Sequence, residues 1–179
     1  MGWRKFILQE RVTESATITS FYLRPIDAKP LPSFRPGQFL TIQIEIPGQE
    51  WSVIRSYTIS DRPSRQYYRL SVKRERIAGQ PIGLVSNYLH DSFQIGDILF
   101  AKAPTGDFCL DLRGKRPVML ISAGVGITPM ICMLSALEGS DIRRPICFIH
   151  GSRNGQEHAF ASQVRELAAE FENIRVHVA

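Results

Sequence analysis

Residues 117–129 read Pro117-Val118-Met119-Leu120-Ile121-Ser122-Ala123-Gly124-Val125-Gly126-Ile127-Thr128-Pro129. The near-continuous apolar run from Pro117 to Ser122 suits a parallel strand covered on both faces. Gly124 and Gly126 then let the backbone approach a neighbour or a ligand closely. Thr128-Pro129 suits a helix start, with Thr as the cap and Pro in the first turn. The order strand, glycine-rich turn, helix predicts the opening of a doubly wound domain, with its helix over 130–137. Downstream, an apolar strand is expected over 145–150, an amphipathic helix over 156–171 and a third strand over 174–178, which is βαβ grammar. Three strands make half of an ordinary nucleotide-binding sheet. The second unit therefore reads as partial, and the chain as a fragment.

Upstream of 117 the pattern differs. Residues 6–12 and 17–23 are short runs rich in apolar and β-branched residues, and Pro30, Pro32 and Pro36-Gly37 punctuate the stretch after them. Phe39 to Ile46 alternates cleanly, and Pro47-Gly48 turns the chain. Further strands are expected over 54–60, 67–73 and 98–101, with one helix over 84–90. Short strands at regular spacing with one helix imply a small antiparallel β-barrel. The division expected is a barrel domain over 1–113 followed by a partial Rossmann-like α/β domain over 114–179.

Composition removes several classes. The 179 residues are 44% hydrophobic and 22% charged, ordinary for a globular protein. No apolar run reaches membrane-spanning length and the N-terminus carries no signal pattern, so a cytoplasmic protein without membrane insertion is expected. Cys109, Cys132 and Cys147 are odd in number, widely spaced and set among apolar neighbours, which favours buried packing over disulfides or a metal cluster. His150 and His158 stand eight apart across a loop, a poor metal pattern, and no metal site is expected. The net charge of +5 gathers at Lys73-Arg74-Arg76, Arg113-Lys115-Arg116 and Arg143-Arg144. These read as solvated surface first and phosphate contacts second. They lack the interleaved aromatics of a nucleic-acid reader. No Ser–His–Asp or Cys–His set in a nucleophile-elbow context is present, nor a carboxylate pair in a hydrolytic setting.

The most specific segment is Arg55-Ser56-Tyr57-Thr58-Ile59-Ser60. Arg55 offers a rigid fork of donors suited to a phosphate. Tyr57 lies two residues on, hence on the same face of a strand, where its ring can pack on a flat ligand and its hydroxyl can hydrogen-bond it. Thr58 points to the other face unless the strand twists or bulges. Gly83-Leu84-Val85-Ser86-Asn87 should open a helix whose free N–H groups and dipole favour an anion, with Ser86 either a further donor or a simple cap.

The segment fits the pattern R-x-Y-S/T-x-S and resembles the flavin signature of the ferredoxin reductase family. Pro36-Gly37-Gln38-Phe39, Leu70 to Glu75, Gly83 to Leu89 (G-x-x-S-N-x-L) and Ala103-Pro104-Thr105-Gly106-Asp107-Phe108 follow the family order, with Ala103 where the family has Gly. Ala123 to Met130 is similar to its G-x-G-x-T-P turn. Ile149-His150-Gly151-Ser152-Arg153-Asn154-Gly155 with His158-Ala159-Phe160 most resembles the reductase half of flavohaemoglobins.

The resemblance implies a flavoprotein reductase taking hydride from NAD(P)H onto FAD, with electrons passing to an acceptor protein or fused redox domain. It implies that Arg55, Ser56, Tyr57 and Thr58 hold the flavin, with Thr58 beside its N5 as the catalytic position. Backbone around Val72 and Lys73 meets the ring edge, and Gly83, Val85, Ser86 and Asn87 form the helix-tip site. Gly124, Gly126, Thr128 and Pro129 lie beside the nicotinamide ribose and pyrophosphate, and Ser152 and Arg153 where the adenosine ribose would lie. Arg153 would either pair with a 2′-phosphate or be an ordinary surface arginine, so NADH and NADPH both stand. The family's late C-G-P motif is absent. That departure keeps a second reading alive: a flavin-binding electron-transfer module without nicotinamide turnover of its own.

Overall fold

The computed structural model describes residues 2–76, 83–137 and 144–179. Six antiparallel strands come first: β1 (Arg4–Thr13), β2 (Ile18–Pro25), β3 (Phe39–Ile44), β4 (Val53–Thr58), β5 (Tyr68–Lys73) and β6 (Ile98–Ala101), in spatial order β4-β3-β6-β1-β2-β5. The alternation of the sequence reappears as burial, because Leu40, Ile42 and Ile44 on β3 fill the interior. Helix α1 (Leu84–Asp91) adds Val85 and Leu89 to the core made by Phe6, Phe21, Leu23, Tyr68 and Phe93. Burying each such large side chain stabilises by about 1.5–3 kcal/mol. In the turn before β3, Gly37 has φ +107°, and a Cβ there would collide with the Phe108 carbonyl and the Met133 methyl.

The sheet curls until its outer strands meet. Just past β4, Ile59 bridges Leu70 of β5, and the Ser60 N–H donates to the Arg69 carbonyl at 2.9 Å. The architecture is the antiparallel barrel that the strand spacing implied.

The second unit contains β7 (Val118–Ala123), a 3-10 turn (Gly124–Gly126), α2 (Ile127–Ser135), β8 (Ile146–Gly151), α3 (Ala161–Glu170) and β9 (Ile174–Val178), with parallel order β7-β8-β9. Leu120, Phe148 and Ile174 pack against Ile131 and Leu134 of α2 and Val164 and Leu167 of α3. The expectation that β7 is covered on both faces is corrected. Its other face leaves Met119 62% and Ile121 58% exposed. Two successive crossovers of one hand, in strand order 7-8-9, put both helices on the same side.

Local differences have local causes. Helix α2 begins at Ile127 rather than 130, with Gly126 as N-cap, so Thr128 lies in the first turn and makes no capping bond. Helix α3 begins at Ala161 rather than 156, because Phe160 sits at φ +60° and Asn154 Oδ1 accepts the N–H groups of Gln156 and Glu157 in a turn. Cys132 is buried, whereas Cys109 and Cys147 are half-buried. Arg144 is not solvated surface: it is buried and donates to the Asp111 carbonyl at 2.6 Å, while Arg143 lies outside the described residues.

The halves are tied by a buried guanidinium. Arg69 on β5 donates to the Ser60 carbonyl, stands 3.9 Å from Asp61, reaches Gln163 Oε1 on α3 at 3.4 Å and lies 5.0 Å from the Phe160 ring. Gln163 donates onward to Ser135 Oγ on α2 at 2.8 Å, and the Cys132 thiol of α2 donates to the Asp61 carbonyl at 3.0 Å. No helix among the described residues is long and apolar enough to cross a membrane.

Candidate functional site

Beyond the Ile59–Leu70 bridge the barrel seam opens. The Ile59 N–H bonds Gln38, on the β3 side, and the Ser60 N–H bonds Arg69, on the β5 side. By strand alternation the backbone groups of Thr58 and Ser56 also face β5. On β5 the Arg69 carbonyl faces Ser60, while the Arg74 N–H goes to Thr17 on the β2 side, so the backbone groups of Ser71 and Lys73 face β4. Continued register would set Thr58 against Ser71 and Ser56 against Lys73. Instead the strands part around a cleft of about 530 Å³, within the range of small-molecule sites.

Four segments line that cleft: Arg55 to Thr58, Ser71 to Lys73, Gly83 to Ser86 with Glu75, and, from the second unit, Val125, Gly126, Thr128 and Pro129. Alternation alone had separated Thr58 from Arg55 and Tyr57. Both parities border the cleft, because it wraps a strand edge rather than a strand face. The Ser56 hydroxyl is turned to Thr41 Oγ1 at 3.3 Å, which leaves its backbone to the cleft. Burial pushes the Tyr57 phenol up to about 12, so it remains a neutral donor, and among the described residues its hydroxyl has no partner. Arg55 uses one nitrogen on the Ile54 carbonyl at 2.7 Å, and among the described residues it faces no carboxylate within ion-pair distance.

A chain of hydroxyls pins the closed end of the seam. Ser20 Oγ donates to Glu14 at 2.6 Å and meets Ser71 Oγ at 2.7 Å, which meets Ser60 Oγ at 2.6 Å. The Val72 carbonyl is taken by His90 Nε2 at 2.8 Å. A carbonyl only accepts, so that nitrogen carries the proton. Lys73 stands 3.7 Å from Glu75.

At α1, Gly83 is the N-cap, and a Cβ there would come within 2.6 Å of Ser86 Oγ, so its identity answers a local close approach. Ser86 donates to the Gly83 carbonyl at 3.1 Å and caps no N–H group. Asn87 is not brought to the cleft. One helical turn from Gly83, it donates to the Gly83 carbonyl at 2.8 Å and the Glu75 carbonyl at 2.9 Å and accepts from Arg76.

Gly124, Ser152 and Arg153 border a different pocket of about 510 Å³, at the C-terminal ends of β7 and β8, with Lys73 and Glu157. Such ends are where open parallel sheets bind ligands. Nearby, His150 accepts or donates at Ser122 Oγ (2.9 Å) and stacks on His158 with ring centroids 5.3 Å apart. Burial lowers both imidazoles.

Two family descriptions divide the chain as its two sheets do: Oxidoreductase FAD-binding domain matches residues 5–109 and Oxidoreductase NAD-binding domain matches 120–179. The chain belongs to the FAD- and NAD-binding oxidoreductases. The flavohemoprotein of Halalkalibacterium halodurans is 45% identical over 99% of this chain and 44% of its own length. That of Deinococcus radiodurans is 48% identical over 97% of this chain and 42% of its own. The FAD/NAD binding domain of nitric oxide dioxygenase from Vibrio cholerae is 37% identical, with TM-score 0.90, over 98% of this chain and 73% of that one. The chain thus spans less than half the length of the curated relatives it matches. As a member of this family it is an oxidoreductase whose cofactors are FAD and a nicotinamide nucleotide.

The sequence reading missed Ser71, Glu75, Leu84 and Val125 in the cleft and Glu157 in the neighbouring pocket. Ser71 had a usable signal, since it lies in the Leu70 to Glu75 segment already singled out, immediately before Val72 and Lys73. The others are placed by packing between segments distant in sequence.

Proposed function

We propose that the chain acts as an NAD(P)H-dependent flavoprotein reductase, with FAD in the seam cleft and a nicotinamide nucleotide on the wall opposite. Electrons leave to an acceptor protein or a fused redox domain. The observation that carries the reading is one cleft with two unlike walls: the unpaired edges of β4 and β5, and the Gly126–Pro129 start of α2. A ring held by the barrel then borders the surface offered by the α/β half. The functional division runs as 1–113 for the flavin and 114–179 for the nucleotide.

Bound FAD supplies the redox chemistry, accepting two electrons as hydride from the nicotinamide and passing them on. The residues fit such a group. Arg55 has donors in hand for a pyrophosphate. Tyr57 supplies an apolar ring and a neutral hydroxyl donor for the ribityl chain. Thr58 lines the seam edge, where it would meet the reacting end of the flavin, and is the catalytic residue in this reading. Backbone groups of Ser56 and Lys73, with those of Ser71, face the ring edge, whereas the Val72 backbone is turned to β2 and His90 and Val72 only lines the cleft. Gly83, Val85 and Ser86 present the N-terminal turn of α1. Asn87 acts at one remove, by fastening residues 75–76 to the helix. Gly124, Gly126, Thr128 and Pro129 cradle the nicotinamide ribose and pyrophosphate, and Ser152 and Arg153 the adenosine ribose. No strong acid or base is required, and the work of the protein is alignment.

The bare face of the three-stranded sheet favours a second reading, in which the chain binds flavin and relays electrons without its own nicotinamide turnover. Anaerobic mixing of the flavin-loaded protein with NADH and with NADPH separates the two. Rapid loss of visible flavin absorbance with either nucleotide supports the first, and no loss with both supports the second.

A further inference from the structure

The pocket at the ends of β7 and β8 holds a charge pair of which the roles above use only the arginine. Arg153 Nη2 stands 3.0 Å from Glu157 Oε2. The partners are unequal: the Arg153 side chain is 71% exposed and that of Glu157 only 22%. Glu157 is the fixed member. Its N–H donates to Asn154 Oδ1 at 3.1 Å, beside the Gln156 N–H at 3.0 Å. The Gln156 carbonyl in turn accepts the Ala16 N–H of the β1–β2 hairpin at 2.9 Å. The pocket's floor is open, since a Cβ on Gly124 would meet nothing within 4 Å. The other lysine or arginine lining it, Lys73, stands 3.7 Å from Glu75. Both of these cations are therefore already matched by carboxylates.

We infer that Glu157 is the specificity-determining residue of this pocket, set for a ribose with free 2′- and 3′-hydroxyls and against a 2′-phosphate. The inference rests on the nucleotide placement proposed above. A phosphate brought to Arg153 comes comparably close to Glu157, and at matched distances the repulsion from one offsets the attraction to the other. Reaching Arg153 alone requires breaking its pair with a half-buried carboxylate. A ribose diol donates its O–H groups to the Glu157 carboxylate and leaves the pair intact. The same side chain thus serves as acceptor for one nucleotide and as repulsive element against the other.

Calorimetric titration of 5′-AMP and of 2′,5′-ADP into the full chain tests this without any turnover. The proteins compared are wild type, Glu157→Gln, Arg153→Ala and the double variant. Gln keeps the size of Glu157 and its backbone bond to Asn154. The wild type is expected to bind 5′-AMP at least as tightly as 2′,5′-ADP. Glu157→Gln should shift the ratio toward 2′,5′-ADP by about tenfold, through the released guanidinium, and adding Arg153→Ala should cancel that gain. A wild type that prefers 2′,5′-ADP, or a ratio unmoved by Glu157→Gln, overturns the inference while leaving the nucleotide site standing. Failure of both compounds to bind the wild type overturns the nucleotide placement, and the specificity assignment with it.

Discussion

In the barrel the unfinished part of the sheet is a short stretch of two strand edges, facing a cleft lined by four segments of the chain. In the α/β half it is a whole sheet face, turned outward, with Met119 and Ile121 in solvent. The first leaves hydrogen-bonding groups unmatched and so invites a polar, planar ligand. The second leaves apolar surface unmatched and so invites only hydrophobic cover. Incompleteness is thus informative when its chemistry is read: the seam marks a binding site, and the bare face marks a surface that a neighbouring segment or molecule would bury.

Breaking the tie between the two regions should have the largest effect. Arg69→Ala removes a buried guanidinium that contacts Ser60, Asp61 and Gln163, and should cost about 3 kcal/mol. Chemical denaturation followed by separate probes in the two halves should change from one transition to two. A single unshifted transition would mean that the halves are joined by other contacts. Arg55→Ala acts on the seam alone. It should weaken FAD binding by about 2 kcal/mol through loss of charge-assisted bonds, with little change in apo-protein stability, as read by flavin titration and thermal melting.

Acid should sharpen the comparison next. Burial lowers His150 and His158 in the α/β half and His90 in the barrel. A histidine whose folded value lies below the ordinary value of about 6.5 contributes stability fully present above that value and lost as pH falls through the folded one. Stability measured from neutral pH downward should therefore decline. In the Arg69→Ala protein, where the halves are expected to unfold separately, His158→Phe should flatten the decline for the α/β half and leave the barrel's unchanged. The smallest effect belongs to the bare face. Ile121→Lys should alter stability by less than about 0.5 kcal/mol, yet lower the fluorescence of a surface-binding hydrophobic dye. A large loss of stability would show that this face is packed after all.

The change from alternating strands to a glycine-punctuated apolar run was legible as a change of architecture. The cover on β7 was not, because an apolar run does not show whether both faces are packed, and Met119 and Ile121 are exposed. Arg55, Tyr57 and Thr58 were legible as a motif, but their shared cleft was not. Alternation describes faces, and the cleft lies along an edge. Arg69 carried no signal. It stands at a polar position of an alternating strand that is buried along almost its whole length, and its partners from the second unit, Gln163 and Phe160, lie about ninety residues away. Glu157 fell within a stretch read as helix. Only the left-handed Phe160, invisible in composition, delays α3 and frees the preceding turn to place that carboxylate at the pocket.

The register that halts at Ile59 and Leu70 leaves the barrel a half-drawn zipper. Each further backbone bond that the two strands forgo is worth about 1 kcal/mol, stability the fold gives up so that those edges stay available to a cofactor.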